Sequence, residues 1–117
     1  MTRLAKLTAL YDVAKDGTAE ADDFRAVWTA KWPDVAIEAP YAARAARDDD
    51  MNAALAFHKA VLPGLWWEVS GPSDRNPKDV DCFKSRIGAM PFQHAATPAL
   101  ALFLADMAAL IEMEKMK

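Results

Sequence analysis

Hydrophobic positions at the start of the chain recur with the spacing of an amphipathic helix. Leu4, Leu7 and Tyr11 are three or four residues apart, which places their side chains on one helical face. Gly17 follows the last periodic residues, and glycine is typical of a helix end, where a left-handed backbone conformation is common. The pattern therefore predicts a first helix over residues 3–15.

A second helix is predicted from the residues that follow. The acidic residues directly after Thr18 suit the positive end of a helix dipole, and the apolar residues up to Trp32 recur on one face. Pro33 cannot continue a helix, so this helix is predicted over residues 18–32. Residues 33–40, which hold two prolines, are predicted to form an irregular connection.

The third helical pattern is the clearest in the first half of the chain. An acidic run at positions 48–50 precedes an apolar stripe that begins at Met51. Carboxylates before such a stripe are typical of a helix N-terminus, and Pro63 with Gly64 is typical of a helix end. The pattern predicts a helix over residues 51–62.

After residue 64 the pattern changes from helix to strand. Residues 65–70 are aromatic and β-favouring and lie between Gly64 and Gly71, which predicts a short strand. A long turn is predicted over residues 71–79. Residues 81–88 are predicted to return as an antiparallel strand, and a third short strand is predicted over residues 90–94.

The last helix has a strong start signal. Thr97 is a typical N-cap, Pro98 suits the first helical position, and a wide apolar stripe follows. These features predict a helix over residues 98–113. Leu102 and Leu104 lie on opposite sides of it, so one stripe can face the core while the other pairs with a second copy of the chain.

Together the elements predict an α+β fold with three N-terminal helices, a small antiparallel β-hairpin or meander and a C-terminal packing helix. The length of 117 residues fits a single globular domain over residues 1–117.

Charge and cysteine content narrow the class of protein. The net charge of −3 gives no overall positive field, which disfavours nucleic acid as a partner, although a local basic patch is compatible with the sequence. Cys82 is the single cysteine, so no internal disulfide forms and a reducing compartment is expected. Cys82 is predicted to be a buried, inert strand residue. The charged start of the chain is neither a signal peptide nor a membrane anchor, so no membrane partner is predicted.

No catalytic, cofactor or metal residues are predicted. His58 lies on the apolar face of its helix, where a histidine ring usually bonds a backbone carbonyl. His94 has no fixed partner in the sequence, so an enzyme centred on His58 and His94 would require both rings and an acid to converge. Three aspartates in one turn lack the spacing of a calcium loop: Asp74, Asp79 and Asp81.

The tryptophans are the unusual feature of the sequence. Trp66 and Trp67 are adjacent, so in a strand they face opposite sides of the sheet, and one can enter the core while the other stays exposed. An exposed tryptophan is a common anchor in protein interfaces and can also stack on a nucleotide base. The competing interpretation packs it beneath the 71–79 turn or the second helix. Basic residues cluster nearby, and the candidate partner-binding set is Trp66, Trp67, Arg75, Lys84 and Arg86.

Two stretches resemble a known group of proteins. Residues 51–69 read MNAALAFHKAVLPGLWWEV and residues 95–105 read AATPALALFLA. Both are similar to small uncharacterised proteins of alphaproteobacterial phages and prophages. The resemblance implies a phage or prophage origin, a host-cell cytoplasmic location and the same α+β order, and it carries no activity and no site residue.

The leading hypothesis is a non-enzymatic accessory protein that binds an unknown host or phage protein, one form of which is inhibition of a host defence protein. The alternative is a nucleic-acid-associated module in which the tryptophan-containing hairpin stacks on single-stranded bases. A small enzyme centred on the two histidines ranks last.

Overall fold

The structure is a computed structural model that describes residues 2–15, 44–45, 47–71 and 83–116. The predicted helix over residues 18–32 and the irregular connection over 33–40 lie outside the described residues. So does most of the predicted 71–79 turn.

Along the described part of the chain, two helices come first, three strands follow, and a final helix ends the order. In chain order they are α1 (Arg3–Lys15), α2 (Met51–Val61), β1 (Trp67–Ser70), β2 (Phe83–Ile87), β3 (Gln93–Ala95) and α3 (Pro98–Lys115). The predicted α+β class is confirmed, and two of the three predicted N-terminal helices lie within the described residues.

Side-chain caps define the start of α2 and of α3. The Asp50 carboxylate accepts a hydrogen bond from the Ala53 N–H at 3.0 Å, and the Thr97 hydroxyl accepts one from the Leu100 N–H at 3.2 Å. Each bond satisfies an N–H that has no partner within the helix. Thr97 was predicted as a cap, with Pro98 in the first turn, and both predictions are confirmed.

The three strands form an antiparallel sheet in the order β1-β2-β3. Trp67 lies opposite Ile87, and Ser85 lies opposite both Val69 and Gln93. Residues that lie opposite one another in the register share a face of the sheet, so these five side chains belong to one face. That face packs against α3.

Helix α3 is the centre of the molecule and packs against every other described element. Its alanine-rich and leucine-rich stretch over residues 99–107 is buried on all sides, which is the behaviour expected of a helix that is apolar all round. Leu102 and Leu104 are both buried, so the predicted second stripe is covered within the chain and is not free to pair with a second copy. Phe57 of α2 meets Phe103 with ring centroids 5.2 Å apart.

Candidate functional site

The sheet has a second face that points away from α3. Side chains alternate along β2, so Ser85 and Ile87 are buried against the helix while Lys84 and Arg86 point outward. In the register, Glu68 lies opposite Arg86 and His94 lies opposite Lys84. The outward side of the sheet is therefore mainly basic and polar.

Aromatic rings lie among these cations. The guanidinium carbon of Arg86 is 5.5 Å from the ring centroid of Trp66 and 4.6 Å from that of Phe92, and the Lys84 Nζ is 4.6 Å from the Phe92 centroid. These distances are typical of cation–π interactions. Arg86 also forms an ion pair with Glu68 at 2.9 Å. We call this surface the outer face; its members are Trp66, Glu68, Lys84, Arg86, Phe92 and His94.

Neither tryptophan of the pair enters the core. Trp66 is 54% exposed on the outer face, and Trp67, which faces the other side of the sheet opposite Ile87, is 37% exposed. The prediction that the two rings face opposite sides is confirmed, but the prediction that one of them can enter the core is wrong. The reason is position: β1 is an edge strand, and of the three strands it packs least against α3.

The backbone around Trp66 is fixed on both sides. The Trp66 carbonyl accepts a hydrogen bond from the Gly88 N–H at 2.8 Å, which extends the pairing of β1 with β2 by one step. On the other side, the turn that leads from α2 to Trp66 contains Gly64 at a φ of +85°, a conformation that glycine adopts without strain. The Leu65 N–H donates to the Leu62 carbonyl at 3.3 Å within this turn.

His58 ties this turn to the central helix. Its Nδ1 lies 2.6 Å from Oδ1 of Asp106, and its Nε2 lies 2.8 Å from the Leu65 carbonyl oxygen. His58 is 4% exposed and Asp106 is fully buried. The predicted bond from the histidine ring to a backbone carbonyl is confirmed, while the buried aspartate was not anticipated.

The environment shifts the pKa of both groups upward. The hydrogen bond to the Asp106 carboxylate raises the pKa of His58 above the ordinary histidine value, against the opposing effect of burial. Burial raises the pKa of Asp106 to about 6, although the hydrogen bond from His58 opposes this. Oδ2 of Asp106 is buried and has no hydrogen-bond partner among the described residues.

One signal in the sequence points to Asp106. It is the one carboxylate in the apolar stretch over residues 98–111, three residues after Phe103 and four before Leu110, which places it on the buried stripe. A charge at such a position requires a buried partner, because an unpaired carboxylate is unfavourable away from water. His58 is the basic residue that the fold brings to it.

The histidines are not brought together. His94 is an exposed strand residue opposite Lys84 on the outer face, whereas His58 is buried on the helix side of the sheet. An open cleft of about 490 Å³ lies beside His58 and is lined by Lys59 and residues 63–67. The Nε2 of His58 is bonded to Leu65, so the arrangement required for an enzyme centred on both histidines is not formed.

The described residues meet the requirements of neither a metal site nor a membrane-spanning helix. No group of three or more His, Cys, Asp or Glu side chains in these ranges is arranged to hold a metal ion. The same part of the chain contains no helix with the length and hydropathy needed to cross a bilayer. Five residues with predicted roles lie outside the described ranges, namely Asp74, Arg75, Asp79, Asp81 and Cys82.

These features define a small α+β domain with an exposed aromatic and cationic sheet face above a buried histidine–aspartate pair. No protein-family model, curated protein or solved structure matches the chain. The similarity to phage and prophage proteins therefore stays a prediction from the sequence.

Proposed function

We propose that this chain is a non-enzymatic protein-binding domain that uses its outer face to dock on an acidic surface of a partner protein. The observation that carries the proposal is the contact of Arg86 with the rings of both Trp66 and Phe92, with Trp66 more than half exposed. Tryptophan and arginine are the residue types most enriched at the energetic centres of protein interfaces.

The contacts of Arg86 with two rings and a carboxylate suit a preorganised binding surface. Arg86 is held by two rings and by Glu68, so less side-chain entropy is lost when a partner binds than with a free arginine. Lys84 is also held against Phe92 and is exposed. Two cations on a rigid sheet favour a partner surface that carries carboxylates.

The outer face carries more positive than negative side chains, although the chain as a whole is acidic. The whole chain has a net charge of −3, yet Lys84 and Arg86 outnumber the one carboxylate of the outer face, Glu68. The outer face therefore attracts an acidic partner despite the net negative charge of the chain. If the chain is of phage or prophage origin, a protein of the bacterial host, including a defence protein, is the expected partner.

The test is a titration of ¹⁵N-labelled protein with a short poly-glutamate peptide and, separately, with oligothymidylate. We expect poly-glutamate to shift the indole signal of Trp66 and the amide signals of β2, with weaker effects at higher salt because the contact is electrostatic. Equal or stronger shifts of the same signals with oligothymidylate would contradict the protein-binding proposal.

A second experiment, a pull-down from bacterial lysate, uses matched variants to test whether the outer face is the binding surface. Trp66→Ala and Arg86→Gln should lose a captured protein that wild type retains. Trp67→Ala removes an adjacent exposed ring from the opposite side of the sheet, and Lys59→Gln removes an exposed ammonium group from α2. Both controls should retain capture; loss in all four variants would show that the outer face is not the determinant.

A nucleic-acid-binding role is the second candidate, because aromatic rings and cations on a small sheet also suit single-stranded bases. Two observations favour protein binding over nucleic-acid binding. The Phe92 ring already has Lys84 and Arg86 against it, and the chain as a whole is acidic. The oligothymidylate titration decides between the two.

A further inference from the structure

We propose that the buried His58–Asp106 pair positions Trp66 for binding through the Leu65 carbonyl, and that this positioning requires a proton which the pair releases as the pH rises. The inference rests on the proposed function, since Trp66 is its binding anchor. His58 and Asp106 act as positioning residues for Trp66 and do not themselves contact the partner.

The hydrogen bonds fix how many protons the pair holds. A carbonyl oxygen only accepts, so the 2.8 Å contact with Leu65 requires a proton on Nε2 of His58. The 2.6 Å contact between Nδ1 and Oδ1 of Asp106 requires a second proton between those atoms. With both protons in place the pair is neutral overall, as an imidazolium and a carboxylate or as their neutral forms.

Removal of one proton must break one of the two contacts, because two acceptors then face each other. The bond between Nδ1–H and the buried carboxylate is charge-assisted and therefore the stronger of the two. The neutral imidazole thus keeps its proton on Nδ1, toward Asp106. Nε2 is left with a lone pair facing the Leu65 carbonyl oxygen, and the contact with Leu65 becomes repulsive.

Loss of that contact acts directly on the binding anchor. Leu65 immediately precedes Trp66, and the turn from Pro63 to Leu65 is exposed and connects α2 to β1. The bond from His58 to Leu65 fixes this turn to the buried helix pair. Without it, the turn keeps the bond from the Leu65 N–H to the Leu62 carbonyl at the end of α2, and Trp66 keeps the hydrogen bond from Gly88, but the described hydrogen bond from the buried pair to the turn is lost.

The groups around the His58 ring are few. Asp106 of α3 is the charged side chain that shifts the pKa of His58, and the Leu65 carbonyl shifts it through a hydrogen bond. The Trp67 ring meets the imidazole edge with centroids 6.5 Å apart and carries no charge. Lys59 of α2 lines the same cleft. Among the described residues, the proton on this site is thus governed mainly by Asp106.

Asp106→Asn is designed to keep both hydrogen bonds of the His58 ring while His58 is neutral, so that neither bond depends on a proton the pair can release. The asparagine N–H₂ donates to Nδ1 of a neutral His58, whose Nε2–H still donates to Leu65. We expect the indole signal of Trp66, assigned by its loss in Trp66→Phe, to move as wild type is titrated from about pH 6 to about pH 9.5, below the lysine range. In Asp106→Asn the signal should keep its low-pH position throughout.

His94→Gln is the matched control, because His94 is the other histidine of the sequence and shares the outer face with Trp66. This variant should keep the wild-type transition. If the Trp66 signal does not move in wild type, if it moves equally in Asp106→Asn, or if His94→Gln abolishes the movement, the inference is overturned.

A measurement on wild type alone covers the case in which Asp106→Asn fails to fold. The ¹⁵N shifts of the His58 ring should show both nitrogens protonated at the low end of the titration, with Nε2 losing its proton as the Trp66 signal moves. Loss from Nδ1 would contradict the inference. All of these signals are recorded without a partner, so failure of the poly-glutamate titration would reject the binding role and leave this result standing.

Discussion

His58 shows how a single side chain connects three parts of the molecule. Its ring joins α2 to the central helix through Asp106 and joins α2 to the start of β1 through Leu65. Ser85 acts similarly on a smaller scale, because its buried hydroxyl donates to the Glu68 carbonyl at 2.7 Å and so links β2 to β1. The buried polar groups of this core are thus cross-links between elements.

Replacement of His58 by alanine should lower the free energy of unfolding by about 3 kcal/mol, because it leaves the buried Asp106 without a partner. The measurement is urea unfolding followed by circular dichroism. His94→Ala, at an exposed position, should change stability by less than about 0.5 kcal/mol. Equal effects of the two substitutions would show that the buried pair does not stabilise the fold.

The pair also sets the direction in which stability depends on pH. The folded pKa of Asp106 is about 6 against 3.8 when unfolded, and the folded pKa of His58 lies above 6.5. The folded chain therefore holds protons that the unfolded chain releases, so the free energy of unfolding falls as pH rises.

The loss begins between pH 3.8 and about 6 through Asp106 and continues above 6.5 through His58. Urea midpoints measured across this range should decrease with pH in wild type and change less in Asp106→Asn above pH 6.5. A midpoint that rises steadily with pH would contradict the assignment.

At the scale of elements, the start of each capped helix is fixed by a local signal. Asp50 and Thr97 each accept an N–H bond from the third residue after them. Asp49 adds a link between elements: it has a φ of +50°, and its carboxylate accepts a hydrogen bond from the Ala99 N–H in the first turn of α3 at 3.3 Å. The acidic run before α2 therefore contributes to the start of α3 as well.

Substitution of either cap by alanine should lower the free energy of unfolding by about 1 kcal/mol, because one helical N–H loses its acceptor. Urea unfolding of Asp50→Ala and Thr97→Ala measures this. Asp12→Ala is the control: Asp12 is an exposed carboxylate within α1 that is paired with Lys15 at 3.8 Å, and exposed pairs stabilise little. A cap variant as stable as the control would show that the cap is dispensable.

At the scale of the whole molecule, α3 organises the fold. The other described elements pack around it, and residues 99–107 are all buried. The sheet uses its inner side for this packing, which leaves the outer face without a helix from the described residues. One side of the sheet therefore contributes to the core, and the other is the outer face that we propose as the binding surface.

Leu102→Ala tests whether the α3 surface serves the core or an interface between copies. Leu102 is fully buried, so truncation should lower the free energy of unfolding by about 3 kcal/mol, while the mass measured by light scattering stays that of wild type. Met116→Ala, at a position 86% exposed, is the control and should leave stability nearly unchanged. A lower mass with unchanged stability would instead support pairing of two copies through this helix.

Local signals in the sequence were sufficient for much of the fold. The spacing of apolar residues predicted α1 over residues 3–15, and the Thr97 and Pro98 pair predicted the start of α3. The three short strands were also predicted, with β1 beginning two residues and β3 three residues later than expected. Boundaries shifted because strand ends depend on pairing, which involves residues far apart in the chain.

The candidate site was predicted in part. Trp66, Lys84 and Arg86 were singled out, and the structure brings them together on the outer face. Phe92 was not singled out, because its contact with Arg86 depends on the turn between β2 and β3 rather than on any spacing within one element.

Within the described residues, the sequence by itself determined the type and order of the helices and strands, because caps, glycines, prolines and apolar spacing act within a few residues of one another. Only the tertiary structure decided that Asp106 meets His58, 48 residues away, and that Arg86 contacts both Trp66 and Phe92. The physical reason is the range of the interactions. A hydrogen bond between buried groups, or a cation against a ring, requires the packing of elements that approach each other only in the folded chain.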